Sequence, residues 1–313
     1  FNRRIAHFHT SAFRFIWICN NTYNFFSCLL RALGNSTVPL VFLAVSAILN
    51  IAWDLLFVAV FHWGIAGAAY ATIFAQYVSG IGILLYVLFR CRSLFPERKD
   101  LCFDGGILKE IAGLSSLTCL QQSVMNFGIL MVQGLVNSFG ATTMAAFAAA
   151  VKIDTFAYLP VQDFGNAYST FIAQNYGAGN KERIRRGTKE SFAISTAFSL
   201  VISALVFAFA APLMQIFVSS AETAVIASGV RYLRIEGAFY FGIGCLFLLY
   251  GYYRAIKRAE MSVVLTVISL GIRVLLAYVL SATFLGETGI WMAIPIGWIL
   301  ADLTGLLYMR KTW

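Results

Sequence analysis

From Ser191 to Val218 the chain reads SFAISTAFSLVISALVFAFAAPLMQIFV, without one charged side chain. A run of this length has one stable home, an α-helix crossing a bilayer. There, roughly 20 apolar residues cover the hydrocarbon and the helix satisfies its own backbone hydrogen bonds. Comparable runs recur throughout the 313 residues, and only 12% of side chains are charged while 60% are apolar. Soluble domains carry about 25% charged residues, so this chain cannot cover a water-facing surface. A transmembrane barrel would need ten-residue segments of strict alternation, which the continuous runs lack. The fold class expected is all-α, a polytopic transmembrane helical bundle.

Nine spans are expected, at 13–33, 38–62, 65–89, 107–136, 141–174, 190–217, 226–251, 259–284 and 289–309. Pro160 is expected to kink the fifth. Basic residues crowd alternate connections: RCRSLFPERKD with Lys109, GNKERIRRGTK, RAIKR, Arg31, and the tail with Arg310 and Lys311. The connections near His62, Asn137–Gly140, Ser219–Glu222 and Gly286–Glu287 hold none. Sixteen of 23 basic residues therefore share one side, which the positive-inside rule makes cytoplasmic, C-terminus included. Arg3, Arg4 and Arg14 break the pattern. The expected location is the inner (plasma) membrane. The net charge of +9 then reflects topology and contact with anionic lipid; no basic, aromatic-bearing domain supports a nucleic-acid partner. GNKERIRRG reads as a cytoplasmic, lipid-facing basic loop.

The chain also repeats itself. RALGNSTVPLVFLAVSAILNIAWDLLFV (31–58) aligns with RAIKRAEMSVVLTVISLGIRVLLAYVL (254–280) at an offset of 223, and GIAGAAYATIFAQ (64–76) with GETGIWMAIPIGW (286–298) at 222. The second copy begins six spans later, an even number, so both copies face the same way, as in parallel-repeat transporters. Six helices per repeat would give two pseudo-symmetric lobes, of which this chain carries three helices of the first and all six of the second. The expected division is 1–90 for the first lobe, 91–106 for a cytoplasmic linker and 107–313 for the second lobe, and the start at Phe1 reads as an N-terminal truncation.

Asp54 is the foremost candidate for chemistry. It lies deep in the second span among Trp53, Leu55, Leu56 and Phe57, with Asn50 one turn earlier on the same face. A carboxylate in such a setting is costly and marks a functional position by default. With oxygen-bearing partners it can take a proton or hold Na⁺. No other metal site is expected: the six cysteines (19, 28, 91, 102, 119, 245) form no CxxC, and His7, His9 and His62 are scattered. No Gly-x-x-x-x-Gly-Lys loop is present to bind ATP, and no nucleophile–base pair suggests an enzyme.

LLRALGNSTVP, ILNIAWDLLFV, GIAGAAYAT and FIAQNYGAGNKERIRRG together resemble the multidrug and toxic compound extrusion (MATE) transporters, from about Asn20 to the C-terminus. The resemblance implies a secondary-active exporter, acting as a monomer without a cofactor. It would eject amphipathic or cationic compounds in exchange for Na⁺ or H⁺. In the DinF-like branch of that family a first-lobe cation cluster matches Asn24, Asn50, Asp54 and Thr72. The NorM-like branch places acids in the second lobe, where Ser123 and the surroundings of Ile243 supply no carboxylate.

The second lobe nevertheless holds charge: Lys152, Asp154 and Asp163 on the fifth span, Arg234 and Glu236 on the seventh, and Arg273 on the eighth. By the repeat offset Arg273 replaces Asn50, and Ala277 replaces Asp54. The simpler reading pairs these charges inside the bundle. The alternative has Asp154 or Asp163 lining a cavity with Lys152, Gln122 and Arg273 and meeting a cationic substrate. Gln121, Gln122 and Asn126 read first as interhelical hydrogen bonds. Two rival functions stand beside export: a lipid-linked precursor flippase of the same superfamily, and a non-functional truncated remnant.

Overall fold

The computed structural model describes residues 20–92 and 103–312. These residues form helices and no strands. Helix α1 occupies 20–32. It is followed by α2 (Thr37–Asp54), which runs straight into a π-helical segment, Leu55–Val60, and then by α3 (Gly64–Arg90). After the connection come α4 (Gly105–Asn137), α5 (Ala141–Gly177), α6 (Lys181–Phe217), α7 (Thr223–Gly237), α8 (Tyr240–Ala255), α9 (Ala259–Ser281) and α10 (Glu287–Thr312). The chain divides into two compact units, one ending at Phe103 and one beginning at Asp104. Among the described residues seven helical stretches are long and apolar enough to cross a membrane, and the α7–α8 pair, bent by 51°, makes an eighth. The chain is a multi-pass membrane protein. Apolar side chains such as Leu40, Ile48 and Ile51 project outward from α2, as lipid contact requires.

Several expected boundaries move. The sixth span begins at Lys181, so the basic run after Asn180 is helix rather than loop. Asn180 caps it by accepting from the Arg183 amide at 3.0 Å, and Arg186 pairs with Glu190 one turn later at 2.8 Å. The seventh span breaks between Gly237 and Tyr240. There the Phe239 amide turns back to the Glu236 carbonyl at 2.9 Å and the Gly242 amide to that of Phe239 at 2.8 Å, replacing the α-helical ladder with tighter turns. Helix α5 runs continuously through Pro160, whereas α6 leaves helical geometry at Phe209 (φ −103°, ψ 18°), just before Pro212. The missing proline N–H and the clash of its ring with the preceding turn account for that break. The start of the first span, with Arg14 and Cys19, lies outside the described residues, as do Arg3, Arg4, His7, His9 and Cys102.

The repeat is visible in the backbone itself. At the end of α1 the Gly34 amide donates to Arg31 O at 3.0 Å and Asn35 to Leu30 O at 2.9 Å; at the end of α8 Lys257 donates to Arg254 O at 3.3 Å and Arg258 to Tyr253 O at 2.9 Å. These are two copies of one helix-ending motif, displaced by the offset read from the sequence. The motif needs a left-handed residue, supplied by Gly34 (φ 86°) in one copy and by Lys257 (φ 62°) in the other. The following helices also meet alike. A Cβ on Gly67 would lie 3.1 Å from the Phe57 backbone, and one on its counterpart Gly289 would lie 2.7 Å from the Leu280 carbonyl carbon.

In the second unit α10 lies tightest on α9 at Gly297, where an added Cβ would fall 2.3 Å from the Ser269 carbonyl oxygen. Backbone cannot yield to that contact, so Gly297→Ala should destabilise the protein by about 1–3 kcal/mol through overpacking. Gly271→Ala is the control, because its Cβ would meet nothing within 4 Å. Thermal unfolding in detergent should show a lowered transition for the first variant and none for the second.

Candidate functional site

In the first unit α2 lies on α3 in a register fixed by Ser46, whose Oγ donates to the Ala75 carbonyl at 2.9 Å. One turn along α2 from Ser46 comes Asn50, and one further comes Asp54; Gln76 follows Ala75 on α3. Among the described residues Asn50 Nδ2, Asp54 Oδ1 and Gln76 Oε1 are sheltered from solvent and have no hydrogen-bond partner. Sheltered polar atoms are ordinarily satisfied, and leaving them bare is costly. Aromatic rings surround this stretch. Trp53 meets Phe74 at 5.5 Å, and Phe57 packs on Phe74 at 6.1 Å and on Trp63 at 5.2 Å. Asp54 is also the last α-helical residue before the π segment, where the Phe61 amide reaches back to Leu56 O at 2.9 Å; π turns inside helices concentrate at functional positions.

The other two expected members of this cluster are held locally. Thr72 Oγ1 donates to Ala68 O of its own helix at 3.0 Å, and Asn24 Nδ2 donates to Asn20 Oδ1 at 3.2 Å; both side chains are exposed. Gln76 was not among the expected residues. Its signal was its place one turn after Thr72, as an amide within an otherwise apolar helix.

The second unit encloses a cavity of about 490 Å³ between α4, α5, α7, α8, α9 and α10. Asp154 of α5 is buried in its wall and accepts a hydrogen bond from the Tyr240 hydroxyl, at the first residue of α8. Glu236 of α7, also buried, lies against Asp154, with Tyr232 touching both acids. Arg273 of α9 faces the same cavity, its Nε sheltered and without a partner among the described residues. Asp154 Oδ2 and Glu236 Oε2 are likewise unpartnered there.

These placements correct the sequence-based expectations for the cavity at two points. Asp163 is exposed on α5 and does not line it, because the helix turns that side chain away from the face carrying Asp154 and Tyr158. Gln122 lines a smaller adjoining pocket instead. Lys152 does line the cavity, with its Nζ 5.7 Å from the Phe217 ring centre. Arg234, expected with the interior charges, is exposed and sits over Phe207 at 5.4 Å. Sequence reasoning set Glu236 among paired charges and overlooked its adjacency to Asp154, which depends on the break after Gly237.

Behind Phe147 and Tyr232 of the cavity wall lies a polar clamp over an aromatic cluster. Glu287, at the start of α10, accepts from Thr143 at 2.8 Å, from Ser228 at 3.1 Å and from Arg231 at 3.4 Å, joining α5, α7 and α10. One turn below, the fully buried Trp291 stacks on Phe147 at 5.5 Å and meets Tyr232 edge-on at 4.9 Å.

A multi-pass helical protein with internal repeats, an acid in an apolar span and a largely apolar cavity that holds buried acids in its second unit has the make-up of a membrane transporter. The MatE family model matches residues 117–279, and the chain belongs to that family. It is 33% identical to the probable multidrug resistance protein YpnP of Bacillus subtilis (strain 168), over 92% of this chain and 64% of YpnP. To the probable multidrug resistance protein NorM of Thermotoga maritima it is 27% identical, over 90% of this chain and 62% of that protein. The chain thus spans less than two thirds of the length of either relative. The fold is also that of a mutant of the Vibrio cholerae MATE transporter VcmN, with a TM-score of 0.86 and 22% identity over 95% of this chain and 68% of that one.

Tyr240→Phe removes the donor to Asp154 and keeps the ring. The buried acceptor left behind should lower stability by about 1–3 kcal/mol, read as a fall in the thermal midpoint of the purified protein. Tyr278→Phe, at an exposed position on α9, should leave the midpoint in place.

Proposed function

We propose that this chain belongs to a secondary-active exporter that drives amphipathic or cationic compounds out of the cell by antiport with Na⁺ or H⁺. The observation that carries the reading is Asp54: a sheltered carboxylate oxygen without a hydrogen-bond partner, one turn from the likewise unpartnered Asn50, in a helix otherwise built for lipid. A monovalent cation or a proton is the species such oxygens would accept. Asn24 and Thr72, close in sequence register to that cluster, would complete it by turning from their local partners. The cavity of the second unit, with its tyrosines and its Asp154–Glu236 pair, would receive the substrate. The relatives named for multidrug resistance support export as the direction of transport.

The mechanism follows from linkage. A cation that binds one arrangement of the helices better than another shifts the balance between them by that difference in affinity. The π segment after Asp54 is a natural place for such a change, because its ladder can close in more than one register. Consistent with the distribution of basic residues, the protein would sit in the plasma membrane with its C-terminus in the cytoplasm. It would work as a monomer with membrane lipid around it, needing no cofactor beyond the coupling ion.

Asp54→Asn is the test. The variant keeps the shape and loses the charge, and it should abolish ion-driven export of a fluorescent cation such as ethidium while reaching the membrane at the same level. Export at the unaltered rate would overturn the assignment.

A further inference from the structure

Arg254 closes α8 as its penultimate residue. Its Nε donates to the Tyr250 carbonyl at 3.2 Å, and one Nη reaches Asn166 Oδ1 at 3.5 Å. Among the described residues it makes no ion pair, whereas Arg186, Arg231 and Lys257 each meet a glutamate. The guanidinium is therefore fixed in direction while several of its N–H groups keep no acidic partner.

It lines a pocket of about 210 Å³ whose other polar lining residues are four amides, Gln121, Gln122, Gln162 and Asn166, and Tyr250. No carboxylate lines this pocket. A fixed cation ringed by amides, which can turn their N–H groups inward, is a receptor for an anion. The pocket shares Met125, Gln162, Phe247 and Tyr250 with the larger cavity, so the two adjoin. Asn166 and Asp154 are separated by roughly 18 Å of helix. The acid pair thus lies partway along the lining that α5 gives the two pockets, and the arginine at its Asn166 end, with aromatic walls between.

We propose that the second unit binds amphipathic anions, seating a carboxylate or phosphate on Arg254 and the amides while the apolar body lies in the larger cavity. This rests on the reading of that cavity as the substrate chamber, and it extends the substrate class from cations to acids and zwitterions. The anion could reach the pocket as a lipid headgroup or as a soluble amphiphile, and the chemistry of recognition is the same.

The experiment follows quenching of intrinsic tryptophan fluorescence, with Trp298 in the cavity wall, in phosphatidylcholine nanodiscs. Dodecyl phosphate is titrated against dodecanol, which has the same chain and no charge. Dodecyl phosphate should bind the unaltered protein more tightly. Arg254→Gln should weaken it by about tenfold, the loss of one charge-assisted contact, and leave dodecanol unchanged. Arg254→Lys, which keeps the charge, should restore part of the difference. Replacing some phosphatidylcholine with phosphatidylglycerol separates the sources: competition identifies a lipid headgroup, and undiminished binding a soluble anion, and either supports the site. Equal binding of dodecyl phosphate by the unaltered protein and Arg254→Gln overturns it, as does an equal loss for dodecanol, which would make Arg254 a strut between α8 and α5. Failure of both probes to bind the unaltered protein would instead overturn the cavity as a substrate chamber.

Discussion

A polypeptide in hydrocarbon has no solvent to answer its backbone amides and carbonyls. Each must be answered within the chain, and for a single crossing segment the α-helix is the arrangement that does so. The rest of this molecule follows from that demand. Long helices leave carbonyls open only at their ends, and those ends must be closed in a few residues. The chain solves the same closure at Gly34 and at Lys257, with matching hydrogen bonds, and again at Gly179 after α5. With the backbone answered, what remains free to vary is how closely helices approach and where a polar side chain is admitted.

Close approach and polarity occupy different places. Where α10 crosses α9 at Gly289 and Gly297, the backbones are so near that no side chain fits between them, and the helices interact through dispersion and main-chain contact. Two of the acids, Asp54 and Glu236, lie instead where regular helix gives way. Asp54 is the last α-helical residue before the π segment, and Glu236 comes just before the break between α7 and α8, its carbonyl taken by the amide of Phe239. An interruption in the ladder brings unpaired main-chain groups and local room, both of which lower the cost of admitting a carboxylate. The two units have thus arrived at similar solutions on different helices.

Much of this was legible in the residues. The apolar runs gave the helices and the offset repeat the two matching helix pairs, because each is a property of the chain taken locally. Asp54 stood out for the same reason: an acid in an apolar run is conspicuous without any neighbour. What depended on neighbours was hidden. Asp154 and Asp163 look alike in sequence, and only the packing of α5 against α7 and α8 buries the first and exposes the second. Gln76 gained its interest from the register that Ser46 imposes on α3. The helical start at Lys181 was masked by its charge, which resembles a loop until Asn180 is recognised as a cap. Arg254 read as one more cytoplasmic basic residue until the amides around it were in place.

The π segment also explains a small arithmetic mismatch. The offset between the two copies is 223 up to Val58 and 222 from Gly64, so the first copy contains one residue more, and the widened turns at Leu55–Val60 lie across that point. A π turn is what an α-helix becomes when it must house one extra residue without extending its neighbours. The two copies therefore differ by one residue between matched helices, and the π segment is where the longer copy takes it up. The copy with the extra residue is the one that carries an acid at its edge, while the copy without it has alanine at the matching position. A one-residue mismatch between two similar stretches is in this way visible in the backbone, next to the residue at which they differ in charge.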